Sequence, residues 1–360
     1  MNRVAFRADV SPKTGMGHLM RCLALAHSIE PSGGCVLITR PDDRLDDMIA
    51  PAEAAGWDIR LLDPGLTDAA DAAATGEAVQ RAQVDLVVTD LCSRSFIDSP
   101  KRLSVYHEML CSRIGPPVLS IEDCRMESFA SDVAVIPYEC GDPCIADRAA
   151  PGCRVFAGPE FYIGDTRLSF WRAKRVIRAA ATKILVVVGG SDPLGVAVDV
   201  ARALSAVPDS GLEVRVIAGH GLDPERRVEL RTLCDIHPML EMIDFVQDIG
   251  EHLVWADLAV LGEGLVRFEA AITGTPSITI SQFEHHSDVL ERFFSLGTTT
   301  YLGPAHALTP DSIIAGIRKL ALAPDQRRSQ SETGMKIYDG MGCERIAAIA
   351  AQLSAPPAAS

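Results

Sequence analysis

Short apolar runs of strand length recur along this chain, each set off from the next by a helical stretch, and the pattern starts afresh in the second half. In the first half the runs are 4–8, 35–39, 59–62, 86–89, 118–121 and 133–136, with amphipathic or Ala-rich segments such as 18–29 and 68–83 between them. Strands alternating with helices predict a parallel sheet covered on both faces. A polar stretch near residues 155–165 then leads into a basic segment read as a helix over 168–181. New strands are expected at 183–188, 213–218, 240–243, 258–261 and 277–280, and 325–353 reads as helical. The expected fold class is therefore α/β, with two Rossmann-like doubly wound domains. The first spans 1–160, the second 161–353, and residues 354–360 form a frayed Pro/Ala tail. Such domains facing one another leave a cleft at the carboxyl ends of their strands, where ligands bind in doubly wound folds.

Charge narrows the partners. The chain has 34 Lys and Arg against 48 Asp and Glu, a formal net charge of −14, which argues against a nucleic-acid polymer. A small phosphorylated ligand is still allowed, because backbone amides at a helix terminus hold phosphate on an acidic protein. No apolar run reaches the ~20 residues of a membrane span, and residues 1–10 lack the apolar core of a signal peptide. A cytoplasmic location without membrane insertion is expected. The ten cysteines are read as reduced thiols. Cys140, Cys144 and Cys153 show neither a CxxC spacing nor a paired histidine, so a zinc site is not expected there.

Four loops carry candidate chemistry. Arg7 and Asp9 end the first strand, and Gly15, Gly17 and His18 open the next helix. Glycines permit close backbone approach. A histidine in a first helical turn feels the positive helix end, which disfavours the imidazolium and suits a general base; the alternative is a histidine that only lines the helix start. The second loop is Gly189, Gly190, Ser191, Asp192 and Pro193, either a ligand loop with open amides or a tight turn in which Ser191 or Asp192 caps a helix. The third runs from Gly262 through Glu263, Gly264 and Leu265 to Arg267 and Glu269. Its helix entry suits a diphosphate, and Glu269 either bonds ribose hydroxyls or serves as a helix-dipole partner. The fourth holds Gln282, His285 and His286, facing a cleft or capping the next helix. Adjacent helical histidines point about 100° apart, so no metal is expected.

Together these loops resemble one family. The stretch 15–26 (GMGHLMRCLALA) with Arg7 and Asp9, GGSDP at 189–193, ADLAV at 256–260, the helix entry at 264–271 and Gly274, Thr275 and Pro276 are similar to the PseG/SpsG-type nucleotide-sugar hydrolases, over roughly residues 3–303. The activity named there is hydrolysis of UDP-2,4-diacetamido-2,4,6-trideoxy-β-L-altropyranose. The resemblance implies the GT-B architecture of MurG-like glycosyltransferases, with a nucleotide held by the C-terminal domain. It also implies that His18 activates water at the anomeric carbon. From position alone, Asp9 is expected to orient the water or His18, and Arg7 or Arg21 to meet a sugar or phosphate oxygen.

One loop departs from that pattern. The family reads like Ser-Gly-Gly-Leu-Thr where this chain has Gly262, Glu263, Gly264, Leu265 and Val266, and it tends to have Gln where His286 stands. Two like charges ~5 Å apart at an effective dielectric of ~20 repel by roughly 3 kcal/mol. Either Glu263 points away from the diphosphate, or it pairs with Arg267, or the ligand carries less charge, as a CMP-linked sugar or a metal-bridged ligand would. The leading reading is a hydrolase of a nucleotide-activated sugar whose partner is a small nucleotide-linked substrate. A GT-B glycosyltransferase and a non-catalytic binding relative are the alternatives. No pattern argues for a flavin, nicotinamide, haem or metal cofactor, and none sets an oligomeric state.

Overall fold

The apolar runs build two all-parallel sheets. A computed structural model of the chain describes residues 1–10, 17–41, 45–91, 99–190, 192–207, 211–219, 221–244, 246, 248–282 and 288–354. It divides into two compact units: Met1–Thr166 with the chain from Gly340 onward, and Arg167–Asp339.

The first unit's sheet comprises β1 (Val4–Ala8), β2 (Cys35–Thr39), β3 (Asp58–Leu61), β4 (Leu86–Asp90), β5 (Val118–Ile121), β6 (Val133–Ile136) and β7 (Arg154–Ala157), in the order β3-β2-β1-β4-β5-β6-β7. Its helices are α1 (Gly17–Ile29), α2 (Leu45–Ala54), α3 (Asp68–Ala82) and α4 (Pro100–Cys111). β1 is buried along its whole length. Phe6 and Ala8 pack on the side of α1, where Leu19, Cys22 and Leu25 recur at helical spacing. Ala5 joins the opposite core, under α3 and α4. Thr67 caps α3 by accepting from the Ala70 amide, and Gln83 ends it in the left-handed conformation.

The second unit follows the same doubly wound order. Its strands are β8 (Lys183–Val187), β9 (Glu213–Ile217), β10 (Leu240–Ile243), β11 (Leu258–Leu261), β12 (Ser277–Ser281) and β13 (Thr300–Pro304), arranged β10-β9-β8-β11-β12-β13. Around them lie α5 (Leu168–Arg172), α6 (Val196–Ser205), α7 (Pro224–Ile236), α8 (Ile249–Trp255), α9 (Val266–Ile272), α10 (Asp288–Ser295), α11 (Pro310–Ala321) and α12 (Pro324–Ile337). α13 (Gly342–Leu353) completes the helices.

Four expectations change. The second domain does not run to 353, because α13 packs on the first unit. Cys343, Ile346, Ile349 and Ala350 enter the core around α1, and Arg345 donates to the Glu160 carbonyl at 2.8 Å. Burying the two isoleucines alone contributes roughly 3–6 kcal/mol as an upper bound. The helical reading of 325–353 breaks between α12 and α13, where Gly340 takes φ +79°. The basic helix of 168–181 stops at Arg172, because the arginines beyond it have better acceptors: Arg175 donates to the carbonyls of Leu253 (2.6 Å), Ala256 (2.8 Å) and Thr273 (3.0 Å) at the ends of α8 and α9. Finally, Cys124 and Cys140 form a disulfide with Cα atoms 5.4 Å apart, against the expectation of ten reduced thiols. They follow β5 and β6, which lie side by side, so the sheet brings together residues 16 apart in sequence. Among the expected tail residues only Ser354 is described.

Candidate functional site

In the first sheet the strand order reverses between β1 and β4, and ligands of such sheets bind beyond the carboxyl ends at that point. Ala8 at the end of β1 lies opposite Asp90 at the end of β4. α1 begins at Gly17, so His18 falls in its first turn above that pair of strands. His18 Nδ1 sits 2.7 Å from Asp90 Oδ1. One helical turn along, Arg21 donates to both Asp90 oxygens at 2.9 and 2.7 Å, and its other arm donates to the Tyr138 hydroxyl.

These contacts assign the histidine tautomer. Burial alone would raise the Asp90 carboxyl, but the charge of Arg21 and the hydrogen bonds from Arg21 and His18 outweigh it and hold the group below the usual carboxylate range. An ionised Asp90 only accepts, so His18 Nδ1 carries a proton toward it and Nε2 is left as the basic atom. The His18 side chain is 12% exposed while Asp90 is fully buried. One ring nitrogen is therefore anchored in protein, and the ring remains accessible. A fixed tautomer on a partly exposed ring is the arrangement a general base needs.

The other predicted residues of this edge behave differently. Arg7 is fully buried. Its guanidinium bonds Asp71 (3.3 and 2.8 Å), Asp9 (2.6 and 3.2 Å) and the Ile38 carbonyl (3.5 Å). Those five contacts match the five N–H donors of an arginine, leaving none for a sugar or phosphate; the expected ligand contact by Arg7 is corrected to a structural one. Arg21 likewise turns to Asp90 and Tyr138, which revises its expected role to positioning. Asp9 also accepts from the Arg40 amide at 3.1 Å, so Asp90, and not Asp9, is the carboxylate that orients His18. Asp71 receives Arg40 Nε at 2.7 Å and the Tyr106 hydroxyl at 2.8 Å as well. Burial would raise the Asp71 carboxyl, but Arg7, Tyr106 and Arg40 lower it overall. Gly17 opens α1; Gly15 lies outside the described residues.

In the second unit the order reverses between β8 and β11. Gly189 follows β8 with φ +129°, and the Gly190 carbonyl accepts from the Gly221 amide at 2.8 Å. A Cβ on Gly219 would lie 2.4 Å from the Gly189 oxygen, and one on Gly262 only 2.0 Å from the Val188 oxygen. Glycine is therefore required where these loops interlock. Asp192 follows the capping alternative. It is buried and accepts from the amides of Val196 (2.8 Å) and Ala197 (2.9 Å), with burial holding its carboxyl above the usual range despite those bonds. It is thereby corrected from ligand residue to helix cap. Of the three options for Glu263, pairing with Arg267 is the one the contacts do not support: Oε2 accepts from Ser281 Oγ at 2.6 Å, while Arg267 donates to the Gly264 carbonyl at 3.1 Å and lies over the rings of Phe268 and Phe293. Gly264 is exposed, Leu265 and Glu269 sit half-buried at the start of α9, and Gln282 is half-buried just beyond β12. Ser191, His285 and His286 lie outside the described residues.

Sequence reasoning missed Asp90, Asp71, Arg40, Tyr106 and Tyr138. Only the carboxylate directly ending the 86–89 run was a usable signal, and only once β4 is known to neighbour β1.

No family model matches the chain. It is 23% identical over 346 residues to the spore coat polysaccharide biosynthesis protein SpsG of Bacillus subtilis (strain 168), covering 96% of this chain and 97% of that one. Among solved structures it is similar to MurG of Acinetobacter baumannii, with a TM-score of 0.65 and 14% identity over 97% of this chain and 99% of the other. The glycosyltransferase VinC, solved in complex with dTDP, aligns with a TM-score of 0.62 and 14% identity over 98% and 99%. The fold is thus the two-domain GT-B α/β fold, and the resemblance to SpsG extends along nearly the whole chain.

Proposed function

We propose that this chain hydrolyses a nucleotide-activated sugar or a related conjugate, releasing the nucleotide, with His18 as general base. The observation that carries this reading is the Asp90–His18 pair at the topological switch point, braced by Arg21. His18 Nε2 takes a proton from water as the water oxygen bonds the anomeric carbon. The bond from that carbon to the phosphate oxygen breaks, and its electron pair leaves on the phosphate. Because the leaving group spreads its charge over phosphate oxygens, the step needs one oriented base and a held nucleotide more than a strong acid. Asp90 acts as a positioning residue that fixes the tautomer, and the second unit is the expected holder of the nucleotide. The reading is further supported by SpsG, whose name refers to polysaccharide biosynthesis, and by VinC, which carries dTDP.

The test is nucleotide release from UDP-, CMP-, GDP- and TDP-sugars without acceptor. Wild type is expected to release one of these nucleotides, and His18→Ala to lose about 10²–10⁴-fold in rate. Equal release by the variant would remove His18 from the mechanism. Release that appears only when a sugar acceptor is added would make the chain a transferase.

A further inference from the structure

The carboxyl edge of the second sheet holds a negative charge where the phosphates of a nucleoside diphosphate are expected. β11 and β12 are in register with Leu261 opposite Thr279, so Glu263 and Ser281 emerge side by side two residues further on. Their hydrogen bond of 2.6 Å fixes the Glu263 carboxylate beside β12. On the far side of β12, Tyr301 of β13 lies opposite Thr279. Burial and then the Glu263 charge raise its hydroxyl above the usual tyrosine range, keeping it protonated beside the carboxylate.

Two acceptors of this edge are unsatisfied. Glu263 Oε1 is buried with no hydrogen-bond partner among the described residues, and so is Gln282 Oε1, one residue past Ser281. No salt bridge reaches Glu263 among the described residues, and Arg267 directs a donor to the Gly264 carbonyl instead. A buried acceptor without a donor costs about 1–3 kcal/mol. A ligand that brings hydroxyl or amino donors relieves that cost, whereas a phosphate brings only acceptors and negative charge.

We propose that Glu263, tethered by Ser281, is a specificity residue: with Gln282 it accepts donor groups of the ligand and turns away a second phosphate, so that the chain prefers a nucleoside monophosphate leaving group to a diphosphate. This rests on the nucleotide-binding reading above. It also accounts for the chain having Glu263 at a turn where the resembling family has glycine.

Calorimetric titration with the nucleoside, the monophosphate and the diphosphate of uridine, cytidine, guanosine and thymidine tests it on this chain. In wild type the second phosphate is expected to add no affinity in any series. In Glu263→Gln, which keeps the shape and removes the charge, the diphosphate-to-monophosphate affinity ratio is expected to rise at least about 10-fold, toward the ~150-fold ceiling set by the repulsion of two like charges. Glu263→Ala gives the same readout if the glutamine variant fails to fold. A ratio unchanged in a variant that still binds nucleoside overturns the proposal and leaves the nucleotide reading standing. Failure of every probe to bind wild type and variant alike overturns both.

Discussion

The two sheet edges are built alike and finished differently. At the first, the polar groups that define the candidate site answer one another: Arg7 satisfies Asp9 and Asp71, Arg40 joins them, and Arg21 and His18 share Asp90. At the second, glycines bring the loops into backbone contact, and two side-chain oxygens are left without donors among the described residues. A fully paired network is rigid before any ligand arrives, which suits a residue that must hold one tautomer in one place. An edge with unsatisfied acceptors derives part of its free energy from the ligand, which suits selection among ligands. On the proposed reading, one doubly wound order serves chemistry in one copy and discrimination in the other.

The sharpest way to break the contrast is to unpair the first edge. Asp71→Ala leaves Arg7 buried with two of its five acceptor contacts gone, and the expected loss is about 3–5 kcal/mol of the first unit's stability. Urea unfolding followed by Trp57, which stacks on Phe6 of β1, in a background with Trp171 and Trp255 replaced by Phe, reads that unit alone. If the midpoint does not move, the network is not what holds this edge.

A smaller effect is expected from Gly262→Ser, which restores the hydroxyl of the resembling family. Its Cβ meets the Val188 oxygen, a backbone atom that cannot swing aside. The expected destabilisation is about 1–3 kcal/mol, confined to the second unit and read by Trp255 as the sole tryptophan. A neutral or stabilising result would mean that the loops are not interlocked.

Acid gives the mildest and most discriminating test, because the shifts at the two edges have opposite signs. Asp71 and Asp90 are lowered in the folded chain. Their contribution is present above the unfolded carboxyl pKa of about 4 and is lost as pH falls through their folded values. Asp192 is raised, so its contribution is present below about pH 4 and is lost as pH rises through its folded value. Acidification from pH 7 toward 3.5 should therefore weaken the first unit more than the second. The same pair of single-tryptophan proteins measures this, and parallel losses in both would count against the contrast.

Much of the architecture was legible because buried parallel strands are continuous apolar runs: 35–39, 118–121, 133–136, 240–243 and 258–261 form strands with the expected bounds. The missing strands, β7 and β13, lie at sheet edges. RVFA is half-exposed, and TYLGP contains Gly303 at φ +130°, so neither carries a clear apolar signature. The site was legible where one loop holds it, as with Gly17 and His18. It was illegible where partners come from separate strands. Asp90 is 72 residues from His18, and nothing local in VVTD says that its carboxylate faces a histidine. Arg7 misled for the same reason. An arginine at a strand end reads as a ligand contact until Asp71, 64 residues away, is seen to occupy it.

The place of α13 bears on how the molecule comes into being. During synthesis the second unit emerges as one continuous segment and can close on itself as soon as it is clear of the ribosome. The first unit emerges earlier yet stays incomplete until its last helix arrives, roughly 10–35 s later at ~5–20 residues per second. For that interval the nascent chain exposes the groove of α1 that Ile346 and Ile349 later fill. The part that carries the candidate base is thus the first to be made and the last to be finished, and a chain interrupted before Gly342 would present chaperones and proteases with an open core beside a folded second unit.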